Sequence, residues 1–545
     1  MSTDKLRGMK VPTPRFISSP FPDSLKAVNG YSKLQTYFPT LSQVFRINKF
    51  QSESAWFDTP RLIDSIDCSG GNRKCSLVLR DPNTSEKTTV AAFMKVTHLL
   101  DPVRWMNGGY SLPKEVGLPW HAKSWTSAWH KLQDPWNQAY VETLATYSLS
   151  RLVDANITPH FNHFYGGFCA RADTYKYNIN DDFESYRETR WFWKGTDNGL
   201  FKLKVVNTED EGSAVDQDIL DELLDRSSIK EDATTAVEDN NDSEEEIETD
   251  DLDVDNASLH TDSLGSKDFE DEDDDSSISS DNKYAVYAEI PKFPVMLIFT
   301  ELNENTMDSL LSLNFPEDVW SAWLFQVISA CCVMQAVLGM THNDLHTNNI
   351  VWSETDIEFL YYRTNSGKVW KVPTYGKLFR LIDFGRSIFT INGKMFVSDD
   401  FRVGNDAGDQ YSFKPLVSHP HDVVAPNPSF DLARLSVSIF EAIFPQRPAE
   451  AESKKILSEE DGLVIRESVS SLYNILWTWM VDDEDKNILM NSDGSERFPD
   501  FDLYKHIAAH IHNADPSEQI YKAPFCDFIT TEAVPDGVKM YPLMV

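Results

Sequence analysis

A chain of 545 residues, 41% hydrophobic and 12% aromatic, has room for two or more ordinary domains or for one large two-lobed enzyme with insertions. Its formal net charge of −36 is unevenly placed: residues 207–282 hold 30 acidic and 3 basic side chains, or −27, leaving −36 − (−27) = −9 for the rest. The low isoelectric point therefore describes one segment, and no basic stretch supplies a nucleic-acid footprint.

The six cysteines form no C-x-x-C pair, and MSTDKLRGMK leads into proline-rich sequence without the apolar core of a secretory signal. Reduced thiols in a cytoplasmic setting are the expectation. Residues 1–55 show no clean period and read as a loosely packed extension. From Arg61, RLIDSIDCSGG, CSLVLRD and TTVAAFMKV read as three antiparallel strands, with Gly70 and Gly71 in the first turn and Lys95 near the end of the third. A Trp- and Pro-rich insertion follows, containing Trp105, Trp120, Trp125, Trp129 and Trp136, and reads as aromatic packing. Residues 137–153 place Tyr140, Val141, Leu144, Ala145, Leu149, Leu152 and Val153 on one helical stripe, with Glu142 on it. NITPHFNHFYGGFCA then reads as a turn and a strand.

Residues 207–282 combine low hydrophobicity with like charges and are expected to be disordered. Ile219, Leu220, Leu223 and Leu224 could form a transient helix there, and Ser243, followed by three Glu, suits an acid-directed kinase. The segment suits a basic partner. Order returns with FPVMLIFTELNENTMDSLL, a buried strand ending in a hinge at Thr300-Glu301-Leu302-Asn303. The apolar run Trp323–Met340 contains Gln326, Ser329 and Gln335 and lacks basic flanks, so a core helix is expected and not a membrane span.

The chemistry lies just beyond. GMTHNDLHTNNIVW holds His342, Asp344 and Asn349, and LIDFGRS holds Asp383-Phe384-Gly385. Phosphoryl transfer needs a carboxylate near the attacking hydroxyl, an amide oxygen for one metal ion, and a second carboxylate for metal between the phosphates. An H-x-D-x-x-x-x-N run followed by D-F-G supplies those three groups. His342 and His346 stand four apart, but Asn343 sits where a zinc protease would need Glu, so a zinc site is not expected. The inserted IEFLYYRTNSGKVWKVPTYG reads as a hairpin turning at Asn365-Ser366-Gly367. Asp431 opens an apolar helix; it could bond the catalytic loop from beneath or merely favour the helix start through the dipole. The remainder of the chain shows helical stripes and no recognisable chemistry.

Lys95, Glu142, the His342–Asn349 run, Asp383-Phe384-Gly385 and Asp431, in that order, resemble the eukaryotic-type protein-kinase superfamily. TPHFNHFYG, THNDLHTNNI and VPTYGKLFRLIDFGR are similar to stretches of the serine/threonine kinases of nucleocytoplasmic large DNA viruses, and D-L-H is similar to the haspin-like catalytic loop. The resemblance implies an α+β bilobal kinase-like fold: an extension at 1–55, a β-rich lobe and hinge at 56–303 interrupted by the acidic insertion, and a mostly helical lobe at 304–545. It implies ATP between the lobes, with Gly70 and Gly71 over the phosphates and Lys95, held by Glu142, on the α- and β-phosphates. Glu301 and Asn303 would meet the adenine and Asp308 the ribose; Asn349 and Asp383 would hold Mg²⁺. Asp344 would take the acceptor proton, and His346, where serine/threonine kinases place a Lys, would donate to the γ-phosphate. A protein Ser/Thr substrate follows, with no nucleic acid or membrane partner, in the cytoplasm (a host's, or a virion, for a viral protein). The alternatives are an aminoglycoside- or choline-type small-molecule kinase and a nucleotide-binding pseudokinase. Three departures bear on this reading. Only Gly70 survives of the glycine-rich loop, Asn343 replaces the usual Arg, and A-P-E is absent, with APNPSFD in its place.

Overall fold

The computed structural model describes residues 14–25, 27–47, 55–69, 73–110, 127–207, 215, 217–227, 284–303, 305–460, 463–491 and 495–545. Gly70, Gly71, Trp120, Trp125, Ser243 and most of the acidic segment lie outside the described residues. Two compact units emerge: Met1–Pro102 with Tyr110–Tyr175 and Pro291–Val545, and Val103–Gly109 with Lys176–Ile290.

The first unit is mixed α/β about a seven-stranded antiparallel sheet. Its strands are β1 (Ala27–Val28), β2 (Tyr31–Gln35), β3 (Leu62–Asp67), β4 (Lys74–Arg80), β5 (Lys87–His98), β6 (Phe164–Ala172) and β7 (Pro294–Glu301), in the order β1-β2-β6-β7-β5-β4-β3. Alternation decides the outer strands: Cys75, Leu77 and Leu79 of β4 turn inward while the residues between them are more exposed. The central β7 is an apolar run buried throughout Pro294–Phe299, as a strand with neighbours on both sides requires. The helix α1 (Gln138–Asp154) starts at Asn137, whose side chain accepts from Ala139 N at 3.2 Å, and is buried over nearly its whole length.

Two expectations change here. The described residues between 14 and 47 are packed: β1 and β2 extend the sheet, Leu25 and Phe38 are 0% exposed, and Phe38 stacks on Tyr140 of α1 at 5.4 Å. Strands of two and five residues are too short to show a period, and their partners lie far along the chain. Cys68 and Cys75 are joined in a disulfide, against the expectation of six reduced thiols; Cys169, Cys331, Cys332 and Cys526 are free. The hairpin register explains the pair: Asp67 faces Ser76, so the next residues outward, Cys68 and Cys75, fall opposite one another with Cα atoms 4.2 Å apart. A spacing test built for C-x-x-C does not detect cross-strand neighbours.

Beyond β7, the helix α2 (Glu317–Leu338) is the expected core helix. It is long and apolar enough to cross a membrane by length and composition, yet 83% of its apolar window is buried, and Gly339 ends it in the left-handed region at φ 57°. Two short antiparallel strands follow, β8 (Ile350–Glu354) and β11 (Lys377–Leu381), with Ile350 opposite Leu381. Between them lies the expected hairpin, β9 (Phe359–Arg363) and β10 (Val369–Pro373), turning where Gly367 takes φ 87°. The helices α3 (Phe430–Ile443) and α4 (Asp502–His510) complete the elements that build the site.

The second unit holds the antiparallel pair Lys202–Asn207 and Tyr284–Pro291 and the helices Phe183–Arg187, Arg190–Asp197 and Gln217–Leu223. Phe192 packs among Phe183, Trp193 and Phe201. Gln217–Leu223 is the short helix anticipated from Ile219, Leu220 and Leu223.

Candidate active site

Strand β5 carries Lys95 opposite Ile298 of β7, facing α1. Its Nζ lies 2.9 Å from Glu142 Oε1 and 2.7 Å from Asp383 Oδ2. One ammonium thus neutralises two carboxylates, one of them 3% exposed.

Asp383 stands at φ 60°, a left-handed conformation uncommon outside glycine and asparagine, and its Oδ1 accepts from Gly385 N at 3.3 Å. Burial works to raise its proton affinity, but the Lys95 charge and hydrogen bond override it and hold the carboxyl below the usual range. The Asp344 charge pushes the other way, so the two aspartates share one electrostatic environment. They are 39 residues apart in the sequence, and the β8–β11 register brings them together.

The His342–Asn349 loop is braced from below. Asp431, wholly buried at the start of α3, accepts from His342 N at 3.1 and 3.0 Å and from Asn343 N at 2.9 Å. Of the two readings of Asp431, the loop-bracing one describes its contacts. Asn343 sits at φ 63° and donates through Nδ2 to Arg386 O at 3.0 Å, while Tyr411 donates to its Oδ1 at 2.6 Å. Where the kinase resemblance has Arg, this chain has an uncharged cross-brace. His342 Nε2 lies 2.8 Å from Ile382 O, a group that only accepts, so Nε2 carries the proton. The Phe384 ring packs against His342 at 5.3 Å and Phe161 at 6.2 Å.

Asn349 spends both amide hydrogens internally: Nδ2 lies 2.9 Å from Asp344 O and 3.0 Å from His346 Nε2. Two consequences follow. Its Oδ1 remains for a cation, and His346 Nε2 must accept, which makes that imidazole neutral with its proton on Nδ1. Burial also lowers the His346 pKa, against the opposing pull of Asp344. Any donation from His346 to a γ-phosphate would thus fall to Nδ1–H, while Nε2 orients Asn349.

Asp344 is the most heavily supported group. Its Oδ1 accepts from Tyr504 Oη at 2.7 Å and lies 3.9 Å from Arg386 Nη1; its Oδ2 is 4.0 Å from His346 Nε2. Burial would raise its pKa, but the Arg386 charge, the Tyr504 hydrogen bond and the Arg434 charge hold it down, at about 2. Sequence reasoning missed Arg386, Arg434 and Tyr504. Arg386 had a signal, since it directly follows D-F-G; Tyr504, 160 residues beyond Asp344, had none.

The hinge residues are engaged with the protein itself. Glu301 N donates to His163 O at 2.9 Å, Glu301 O accepts from Asn303 Nδ2 at 3.3 Å, and the Glu301 side chain pairs with Arg380 at 3.3 Å. Asn303 Oδ1 accepts from Arg380 at 3.2 Å. These bonds take up the Glu301 backbone N–H and leave its carbonyl a second lone pair. Asp308 Oδ1 accepts from Thr347 Oγ1 at 2.8 Å, which ties it to the catalytic loop.

Among the described residues no group of three or more His, Cys, Asp or Glu side chains forms a protein-only metal cage. The Asp383 carboxylate and Asn349 Oδ1, on segments joined by the hydrogen bond from Ile382 N to Asn349 O at 3.0 Å, are hard oxygens. Two such ligands fit magnesium, which keeps waters and binds through substrate phosphates, and do not fit zinc.

No family model and no curated protein matches this chain. Among solved structures it is similar to one described as "ROP18 kinase domain in complex with AMP-PNP and sucrose", at 11% identity and a TM-score of 0.22, over 73% of this chain and 66% of that one. So loose a likeness bears no functional conclusion.

Proposed function

We propose that this chain is a kinase-like, ATP-dependent phosphotransferase that transfers the γ-phosphoryl group of Mg·ATP to a protein Ser/Thr hydroxyl. The observation that carries the reading is Lys95, bound at once to Glu142 and Asp383 in the electrostatic environment of Asp344. Lys95, held by Glu142, contacts the α- and β-phosphates. Magnesium, when bound, would be held by Asp383 and Asn349 and would neutralise charge on the phosphates. Asp344 orients the acceptor hydroxyl. With its pKa held at about 2 it is a weak resting base, and it takes the proton late, as suits a loose, metaphosphate-like transfer. His346 keeps Asn349 turned to the cation. A pseudokinase would not need this full set.

The motif resemblance to viral serine/threonine kinases supports a protein acceptor and a cytoplasmic site of action, and the acidic segment suits a basic partner. The purified chain, incubated with labelled Mg·ATP, should label a mixed-protein extract and not sugars or aminoglycosides; the opposite pattern would indicate a small-molecule kinase. Asp344→Asn and Asp383→Ala should each lower transfer by roughly a thousand-fold with the thermal midpoint little changed. Near-normal transfer by either variant would rule out these roles.

A further inference from the structure

We infer that Tyr504 is a positioning residue for phosphoryl transfer: its phenol fixes one oxygen of the Asp344 carboxylate so that the other faces the acceptor hydroxyl. The inference rests on the reading of Asp344 given above.

The two oxygens of Asp344 are not equivalent. Oδ1 holds the Tyr504 hydroxyl at 2.7 Å with Arg386 at 3.9 Å beyond it. Among the described residues Oδ2 has the His346 Nε2 at 4.0 Å, and that nitrogen already accepts from Asn349. A carboxylate turns readily about its terminal bond, whose torsional preference is broad. A phenol at hydrogen-bond distance on one oxygen stops that rotation and leaves the second oxygen's lone pairs for an incoming O–H.

The alternative is that Tyr504 stands in for the substrate hydroxyl as a removable plug. Its surroundings argue against removal. The ring is 8% exposed, stacks on Phe501 at 5.2 Å, meets Phe430 at 5.8 Å, and lies under the Arg434 guanidinium at 5.1 Å. Its helix, α4, is tied down by Asn427 Nδ2, which donates to Ile507 O, Ala508 O and Ile511 O at 3.2, 3.3 and 2.6 Å. Displacing the phenol would require the packed face of α4, Tyr504 with Ile507 and Ala508, to give way. Tyr504 is a fixture of the site.

Tyr504→Phe in the full chain removes the hydroxyl and keeps the packed ring. With Mg·ATP and a saturating protein acceptor, kcat should fall on the order of ten-fold, the scale of one hydrogen bond to a charged group. The KM for ATP and the thermal midpoint should stay unchanged, which separates alignment from a structural role. An unchanged kcat overturns the inference, and a raised kcat overturns it in favour of the plug. A fall in kcat accompanied by a lowered midpoint overturns it in favour of packing. Asp344→Asn, measured alongside, keeps the two ideas apart. If that variant remains active the phosphotransfer reading itself fails; if it is inactive while Tyr504→Phe behaves as the parent, only the role of Tyr504 fails.

Discussion

At the scale of single residues, the site turns on one ammonium shared by two carboxylates. Lys95 lies between Glu142 and Asp383, and replacing it with Met would leave two adjoining buried carboxylates without their cation. Breaking a buried pair in this way costs about 3–5 kcal/mol. Lys95→Met should therefore lower the thermal midpoint as well as activity. Glu142→Gln is the cleaner probe: the amide is nearly isosteric, and Lys95 keeps its bond to Asp383. It should raise the KM for ATP several-fold and leave the midpoint close to that of the parent, as followed by thermal unfolding beside steady-state rates. A KM equal to the parent's would mean that Glu142 does not hold the ammonium toward the phosphates. Asp344, Asn349 and Asp383 were legible in the sequence because their chemistry is written in two short runs of fixed spacing. Tyr504 and Arg434 were not, because a tyrosine on an ordinary helical stripe acquires its meaning only when α4 is seated. His346 was legible as a residue, but which of its nitrogens carries the proton was not, since the tautomer is set by Asn349 and not by its place in the motif.

At the scale of elements, the β3–β4 hairpin is where sequence and structure part most clearly. Its strands were readable from alternation, and so was its turn, but the covalent link across it was not. The Cys68–Cys75 disulfide closes a short loop, at a sequence separation of 7. Chain-entropy arguments assign such a loop about 2.5 kcal/mol, largely through restriction of the unfolded chain. Cys75→Ser, or addition of a reductant, should lower denaturant stability by about that amount without changing the secondary structure seen by circular dichroism. The residues that the bond encloses include Gly70 and Gly71, so the same comparison made on the KM for ATP reports whether this turn meets the nucleotide. Identical unfolding curves with and without reductant would show that the two thiols are not joined in solution. The first strands of the sheet illustrate the complementary limit. Aromatic contacts such as Phe38 on Tyr140 and Phe57 on Tyr147, with ring centroids 4.0 Å apart in the second pair, link positions about a hundred residues apart and leave no local trace.

At the scale of the whole molecule, the charge of −36 is detachable in principle from the chemistry. Asn207 and Tyr284 are cross-strand partners, so the stretch between them begins and ends at one hairpin end of the second unit. Residues 208–283 carry 30 acidic and 4 basic side chains, so replacing them with a short Asn-Gly turn changes the net charge from −36 to −36 − (−26) = −10. The contacts that would be lost and can be named are those of Arg226, over the Trp193 ring at 4.5 Å and 3.0 Å from Asp197, where both partners of the ion pair are about half exposed. Exposed pairs of this kind contribute roughly 0–1 kcal/mol, and a loss of that size shifts the midpoint by about 2–4 °C. The excised chain should thus fold and should transfer phosphate to an uncharged acceptor peptide at the parent's rate. Toward a Lys/Arg-rich acceptor the two chains should differ. The parent's acceptor KM should be the lower at low ionic strength and should rise with salt, because attraction by the acidic segment is screened beyond about 10 Å at 0.1 M. The excised chain's acceptor KM should be nearly independent of salt. Equal values for both chains at every ionic strength would mean that the segment plays no part in recruiting a basic acceptor, and a loss of folding would mean that it belongs to the second unit's core.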